Sequence, residues 1–492
     1  MPPSIATLLT IVFILFLFIR DSREQGKISR ALWLPVLWMV ITGSRFISQW
    51  INLGSGVSVT DEGSVIDVAY FLMLIVFGIW ILSRRQVAIG EIFQNNRWLA
   101  IFFIYCFLSI AWSDFPFTAF KRYIKILGHP LMALIILTDP DPEKALRTVM
   151  KRCAYIMMPL SVLFIKYFPQ YGRGFDWWTG QAYNNGIMIT KNELGAACML
   201  FGLFFFWNLI TTRHIRNRRF RIEEILLSIG FLYMIGWLLS MAQSSTSLAT
   251  FVIGLATIYV LGLRFVSKRF IGTYTIVAIL IVVIAEFNFD IYAFIVEELL
   301  GRDPTLTDRT EVWVDAIALV KNPILGAGFE SFWLGQRLEI LWAKWWWRPN
   351  QAHNGYIETY LNLGIVGVFL LVSLIISTFR RISKQLLNNF DFARMRFGFL
   401  FAILFYNYTE AAFKAVSLVW TVFYIIAINH PKHRHSCKLS NSLIKNSFRK
   451  KPQATPSNFQ ATFPAPSEAS EEPRMSRRST ASNVSTAWIS RM

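Results

Sequence analysis

Charge is scarce in this sequence, and acidic charge scarcer still. Of 492 residues only 16% are charged, with 30 Asp and Glu against 49 Lys and Arg. That composition excludes the several soluble domains that the length would suggest at about 150 residues each. Cysteine is equally sparse. Cys106, Cys153 and Cys198 lie within apolar stretches, Cys437 lies near the C-terminus, and no C-x-x-C pair occurs. A disulfide framework and a cysteine-held metal cluster are therefore both excluded. The apolar segment from Ser4 to Ile19 has no basic residue ahead of it and no small-residue cleavage site, so it is expected to stay as a first span. Ser244 to Ser247 has neither a partner base nor a G-x-S-x-G context, which excludes a serine hydrolase site there.

What is plentiful is apolar surface, 54% of residues, gathered in long runs separated by short charged loops. That is the pattern of a polytopic membrane protein. A crossing helix needs about 20 residues. Spans are expected near 4–19, 31–48, 65–82, 98–113, 122–138, 152–168, 187–210, 224–241, 246–264, 270–288, 359–379, 396–411 and 414–429. The fold class is all-α, with about 12–13 transmembrane helices.

The net charge of +19 follows orientation, not nucleic acid. Arg20, Arg23, Lys27 and Arg30 fill one loop, while the next, 49–64, holds Asp61 and Glu62 and no basic residue. Arg213, Arg216, Arg218, Arg219 and Arg221 crowd another loop, and Arg264, Lys268 and Arg269 another. The strongly basic loops recur with every second crossing, which makes their side cytoplasmic. From His430 onward there are 11 Lys and Arg against 3 Asp and Glu. This Ser- and Pro-rich tail, 431–492, is expected to be disordered and cytoplasmic, with anionic lipid as a partner.

One loop on the opposite side is long, 289–358, and long ordered loops commonly carry function. Trp342, Trp345, Trp346 and Trp347 near its end read as an interfacial aromatic belt, with sugar stacking as the sharper alternative. His353 stands just before an apolar helix, and Gly364 lies 11 residues later. Gly364 and Gly367 are expected to let that helix approach another closely. A neutral imidazole held at a helix start accepts a proton from a hydroxyl. Arg309 and Arg302 offer planar, permanently charged forks for an anionic leaving group. No Asp-x-Asp pair or His cluster lies near them, so arginine, not a metal ion, is expected to stabilise developing charge.

These residues resemble a known family. His353, Asn354, Tyr356 and Gly364 match the His-x10-Gly motif of the O-antigen ligase and Wzy-type polymerase superfamily. The stretch from Leu306 to Trp313 around Arg309, and the turn from Pro323 to Gly328, look like its arginine motif and the turn after it. Arg20 and Asp21, the segment from Leu32 to Arg45, the stretch from Trp112 to Pro116, and Lys191 with Asn192 are similar to exopolysaccharide polymerases of the ExoQ type. The resemblance covers about residues 5–430. It departs at Trp313, where ligases carry Leu, and at Asp308, where a Gly is common.

The resemblance implies a GT-C-like glycosyltransferase domain over 1–430, with a helical periplasmic catalytic loop at about 289–358, in the bacterial inner membrane. It implies metal-independent, inverting transfer of a glycan from an undecaprenyl-diphosphate carrier, with no cofactor. Lipid-linked donor and acceptor glycans would be the partners, together with other exopolysaccharide export and chain-length proteins and no nucleic acid. His353 would be the base and Arg309 the diphosphate clamp. Arg302, Arg173 and Lys191 are candidates for the second basic residue, and Tyr356 and Glu410 for further substrate contacts, Glu410 alternatively pairing with Lys414. The competing reading of Arg309 is an ion pair with Glu311 or Asp303. Lys191 also fits a snorkelling cation at a span end, and His129 a helix-breaking core position. Lys121, Arg122 and Lys125 run against the orientation rule, either as lipid-diphosphate contacts or because that span is set elsewhere. The first function is a repeat-unit polymerase. The alternatives are a ligase delivering finished glycan to lipid A-core or protein, and a transporter without chemistry, whose inverted repeats are absent here.

Overall fold

A computed structural model of the protein describes residues 1–24, 29–53, 64–85, 87–175, 180–289 and 309–429. They belong to one compact unit, Met1–Pro431. The helices are α1 Pro3–Glu24, α2 Trp33–Thr42, α3 Ile47–Ile51, α4 Val65–Arg84, α5 Ile89–Asn95, α6 Arg97–Leu108, α7 Pro116–Leu137, α8 Pro142–Tyr167 and α9 Pro169–Gly172. They continue as α10 Lys191–Thr211, α11 Arg218–Ala242, α12 Ser245–Val260, α13 Ile271–Phe289, α14 Arg309–Ala318, α15 Gln336–Lys344, α16 Gly355–Gln385, α17 Phe390–Thr409 and α18 Leu418–Ala427. A two-stranded antiparallel hairpin, β1 Arg173–Phe175 and β2 Ala182–Asn184, pairs Gly174 with Tyr183. The chain is thus an all-α polytopic membrane protein.

Among the described residues six helices (α1, α4, α8, α10, α11 and α16) are long and apolar enough to cross a membrane. Four shorter apolar helices, Arg30–Thr42, Arg97–Trp112, Ser245–Val260 and Leu418–Ala427, lie among them. The helices overlie all the expected spans, and the boundaries move for local reasons. The last begins at Leu418 and not near 414, because Ser417 Oγ accepts from Trp420 N and caps it. The span expected from 122 starts at Pro116, where a missing N–H costs nothing. Lys121, Arg122 and Lys125 therefore lie on helix, and Arg122 donates to the Glu330 carbonyl. His129 does not break α7, which runs on through Pro130. Its buried ring instead joins three elements, meeting Trp38 Nε1 at 3.0 Å, Thr421 Oγ1 at 2.7 Å and the Ala415 carbonyl at 2.9 Å.

The core is built by α2, α7, α8, α10, α17 and α18, with Trp38, Tyr155, Phe204, Trp207, Phe397 and Trp420 fully buried. A second, smaller core of Ala316, Phe332, Leu341, Ala352 and Leu361 lies beneath the segment 309–354. Where α1, α8, α10 and α11 meet, buried charges are closed on one another. Glu224 accepts from Arg20 at 2.7 Å, from Lys151 at 2.8 Å and from Asn208 at 3.0 Å, and Arg152 donates to Asp21 at 2.9 Å.

Gly364 interrupts α16 with φ 64° and ψ −166°, a conformation open to glycine and costly to any residue with a Cβ. The close approach expected of this glycine is real, but the neighbour is a turn, not a helix. A Cβ at Gly364 would meet the Ile324 carbonyl. The break frees backbone groups that hydrocarbon cannot satisfy, and the turn from Pro323 to Gly328 satisfies them. Ala327 N donates to Leu361 O at 3.0 Å, Gly328 N to Asn362 O at 2.8 Å, and Ile365 N to Pro323 O at 2.9 Å. Tyr105 Oη donates to Leu363 O at 3.0 Å. Sequence motifs far apart are thereby locked together at the head of α16.

Candidate functional site

His353 precedes α16 by two residues. Asn354 is the cap, its Oδ1 accepting from Tyr356 N and Ile357 N at 3.0 and 3.1 Å. His353 itself has φ 50°, a left-handed backbone uncommon outside glycine. Its surroundings impose that conformation. Trp313 Nε1 donates to Ala352 O at 2.6 Å, and Ala352 N donates to Glu358 Oε1 at 2.7 Å. Glu358 Oε2 also accepts from Trp333 Nε1 at 2.9 Å. Trp313, the residue that departs from the ligase pattern, thus fixes the carbonyl just before the histidine. Strain held by such a frame is common where geometry matters chemically.

The imidazole meets Glu410, which follows α17. His353 Nδ1 lies 3.2 Å from Glu410 Oε2, and the Gln351 amide lies 3.4 Å from the same nitrogen. A carboxylate only accepts, so the contact with Glu410 calls for a proton on Nδ1; a neutral imidazole in that tautomer keeps its lone pair on Nε2. Glu410 Oε1 accepts from Asn192 Nδ2 at 2.6 Å and lies 3.4 Å from Arg309 Nη2. Arg309, the first residue of α14, also donates to the Thr409 carbonyl. Burial raises the Glu410 carboxyl, but the electrostatic pull and hydrogen bond of His353, with the charges of Arg309 and Lys414, outweigh it and hold the group below its ordinary value. One ionised carboxylate therefore holds the imidazole and a guanidinium in one cluster.

The other expected residues fall around or away from this cluster. Lys191 begins α10 beside Asn192, its ammonium 5.5 Å from the Tyr183 ring. Arg173 opens β1 and donates to Ile165 O at 3.2 Å, at the end of α8. The Tyr356 hydroxyl donates to Leu404 O at 2.9 Å, joining α16 to α17. Arg302 and Asp303 lie outside the described residues. Arg309 finds Glu410 as its ion-pair partner, not Glu311. Arg45 donates to Tyr171 O at 2.5 Å.

Two participants escaped sequence reasoning. Asn192 was read only as part of a motif, yet it donates directly to Glu410. Arg337 clamps the loop to the bundle, donating to Asp114 at 2.5 Å and to the Phe332 and Ser331 carbonyls at 3.1 Å. Ser113 Oγ adds a 2.7 Å bond to Ser331 Oγ. The motif from Trp112 to Pro116 was legible, but nothing in it names its partner some 220 residues away. Among the described residues no group of three or more His, Cys, Asp or Glu side chains is arranged to hold a metal ion.

A histidine with a free nitrogen beside a guanidinium suits removal of a proton near an anion. Residues 229–372 match the family model described as O-Antigen ligase. Over 347 residues the chain is 27% identical to the exopolysaccharide production protein ExoQ of Rhizobium meliloti (strain 1021), covering 64% of this chain and 72% of that protein. Together these similarities support an O-antigen ligase/ExoQ-type family. The matched family segment contains Arg309, His353 and Gly364, while Asn192, Glu410 and Lys414 lie outside it.

Proposed function

We propose that this O-antigen ligase/ExoQ-type protein is a glycosyltransferase that joins polyprenyl-diphosphate-linked repeat units into exopolysaccharide. The observation that carries this reading is the contact of Glu410 with both His353 and Arg309. In the reaction, His353 Nε2 accepts the proton of an acceptor sugar hydroxyl. The oxygen attacks the anomeric carbon of the donor, forming a new glycosidic bond with inversion. The bond from that carbon to the phosphate oxygen breaks, and its electron pair leaves on the lipid diphosphate. Arg309 grips a phosphoryl group and stabilises the charge that develops there. The carrier is undecaprenyl diphosphate, and the cluster faces the periplasm, the side opposite the strongly basic loops.

A ligase reading is favoured by the name of the family matched over residues 229–372. The two readings share donor and chemistry and differ in acceptor. The size of secreted polysaccharide in wild type, a deletion strain and His353→Ala separates them. Single lipid-linked repeats in both mutants support polymerisation. Unchanged polymer with lipopolysaccharide or protein lacking its glycan means ligation. Normal polymer and normal glycan in His353→Ala would remove the histidine from the mechanism.

A further inference from the structure

Three helices are tied together at one end and part at the other. Arg20 of α1 and Lys151 of α8 both reach Glu224 of α11, at 2.7 and 2.8 Å, and Arg152 of α8 donates to Asp21 of α1 at 2.9 Å. This tie lies on the side of the strongly basic loops. About two turns beyond it in each helix, a groove of about 440 Å³ opens between the same three elements. Its lining runs from Ala6 to Phe13 on α1, from Pro159 to Tyr167 on α8 and from Gly230 to Trp237 on α11. Each stretch is about 10–12 Å long at 1.5 Å per residue. That fits within one leaflet, half of a hydrocarbon core of about 30 Å. The groove is open at the side: Leu9 and Tyr233 are exposed, and a Cβ built on Gly230 would meet nothing within 4 Å.

The lining is mostly apolar and its outer rim is cationic. Lys166, next to the last residue of α8, is exposed, and its ammonium lies 4.9 Å from the Trp237 ring. Among the described residues it makes no hydrogen bond and no ion pair. Arg173 donates to Ile165 O at 3.2 Å, which brings a second positive charge to the end of α8. None of the described residues lining the groove is acidic. A snorkelling lysine would account for the cation but not for the trough beneath it. Positive rim and apolar trough together match a phosphate above and an acyl chain below. The long polyprenyl tail of a glycan carrier exceeds a trough of this length, whereas one acyl chain stays within a leaflet.

We propose that this groove binds one anionic diacyl phospholipid of the leaflet opposite the strongly basic loops. Its phosphate sits on Lys166 and one acyl chain lies between α1, α8 and α11. None of the lining residues belongs to the cluster around Glu410, and a phospholipid bound here is not a substrate of glycosyl transfer.

The test is native mass spectrometry of the full-length protein released from detergent micelles. It is titrated with dioleoyl phosphatidylglycerol, dioleoyl phosphatidylcholine or farnesyl phosphate. Wild type should retain one phosphatidylglycerol in preference to phosphatidylcholine. Lys166→Gln should weaken phosphatidylglycerol retention about fivefold, the share of one basic side chain at a lipid surface, and leave phosphatidylcholine unchanged. Lys166→Arg should restore the preference. Gly230→Leu should fill the trough and displace both phospholipids with no fall in melting temperature, because a glycine in a helix interior is itself destabilising. Equal retention of the two phospholipids by wild type, a preference unchanged in Lys166→Gln, or full retention in Gly230→Leu overturns the inference. Preferential retention of farnesyl phosphate makes the groove a carrier-lipid site and overturns it as well.

Discussion

Two of the places where this protein buries charge handle it in opposite ways. Where α1, α8, α10 and α11 meet, each cation is closed onto a carboxylate at 2.7–2.9 Å, and Asn208 and Ser228 complete the network. Around Glu410 the spacing is looser: 3.2 Å to His353, 3.4 Å to Arg309, and no bond at all for Lys414 among the described residues. Taking charges out of water is repaid only by tight geometry and full hydrogen bonding. The first cluster meets that condition, as a structural tie must. The second leaves donors and an imidazole nitrogen unspent, which suits a site awaiting an anion and a hydroxyl.

The sharpest way to break the comparison is to remove one group at each end. His353→Ala should lower glycosyl transfer by about a hundredfold to ten-thousandfold, the usual contribution of a general base. Its level in the membrane should remain near that of wild type. Glu224→Ala should do the reverse. Stranding Lys151 and Arg20 should cost about 3–5 kcal/mol, read as a lower melting temperature, while turnover per folded molecule is kept. Loss of turnover in folded Glu224→Ala would erase the distinction.

An isosteric change sharpens it further. Glu410→Gln removes charge but keeps shape, so the imidazole loses its charged acceptor while packing survives. Transfer should fall by about tenfold to a hundredfold, with little change in thermal stability. The same change at Glu224 should lower stability and spare transfer. Smaller again is Gly364→Ala, which forces a Cβ into a left-handed position for about 1–2 kcal/mol and crowds the Ile324 carbonyl. Thermal unfolding in detergent measures it, and an unchanged melting temperature would mean that the turn from Pro323 to Gly328 is not seated on α16 as described.

The helical runs were legible in the sequence because hydrophobic runs are local signals, and among the described residues six of the helices are long and apolar enough to cross a membrane. The individual members of the cluster were legible too: His353 by its place before an apolar helix, Arg309 by its charge in a long loop, Glu410 by its place between two spans. Their assembly was not. His353 and Glu410 are 57 residues apart and Arg309 and Glu410 101, and no periodicity connects them. Gly364 was legible as a small residue that permits close approach, whereas its positive φ arises from a turn folding onto the helix. Asn192 was invisible as a participant because an amide at a span end is ordinary; only the convergence of α10, α16 and the loop after α17 brings it to Glu410.

The smallest expected effect is on acid sensitivity. Glu410 is held below its ordinary carboxyl value, so it binds fewer protons in the folded state than in the unfolded state across the acid range. Its stabilising contribution is then fully present above the ordinary value of about 4.3, declines as pH falls below it, and is gone below the lowered folded value. Nothing should be lost between pH 7 and pH 5 on this account. Replacing the carboxyl with an amide removes the titration, so Glu410→Gln should show a shallower loss of melting temperature below about pH 4.3 than wild type. Glu224→Ala serves as the control at the other cluster and should leave the Glu410 component in place. If wild type and Glu410→Gln lose stability in parallel through that window, the carboxylate is not coupled to His353 and Arg309 in the folded protein, and the two clusters differ only in distance.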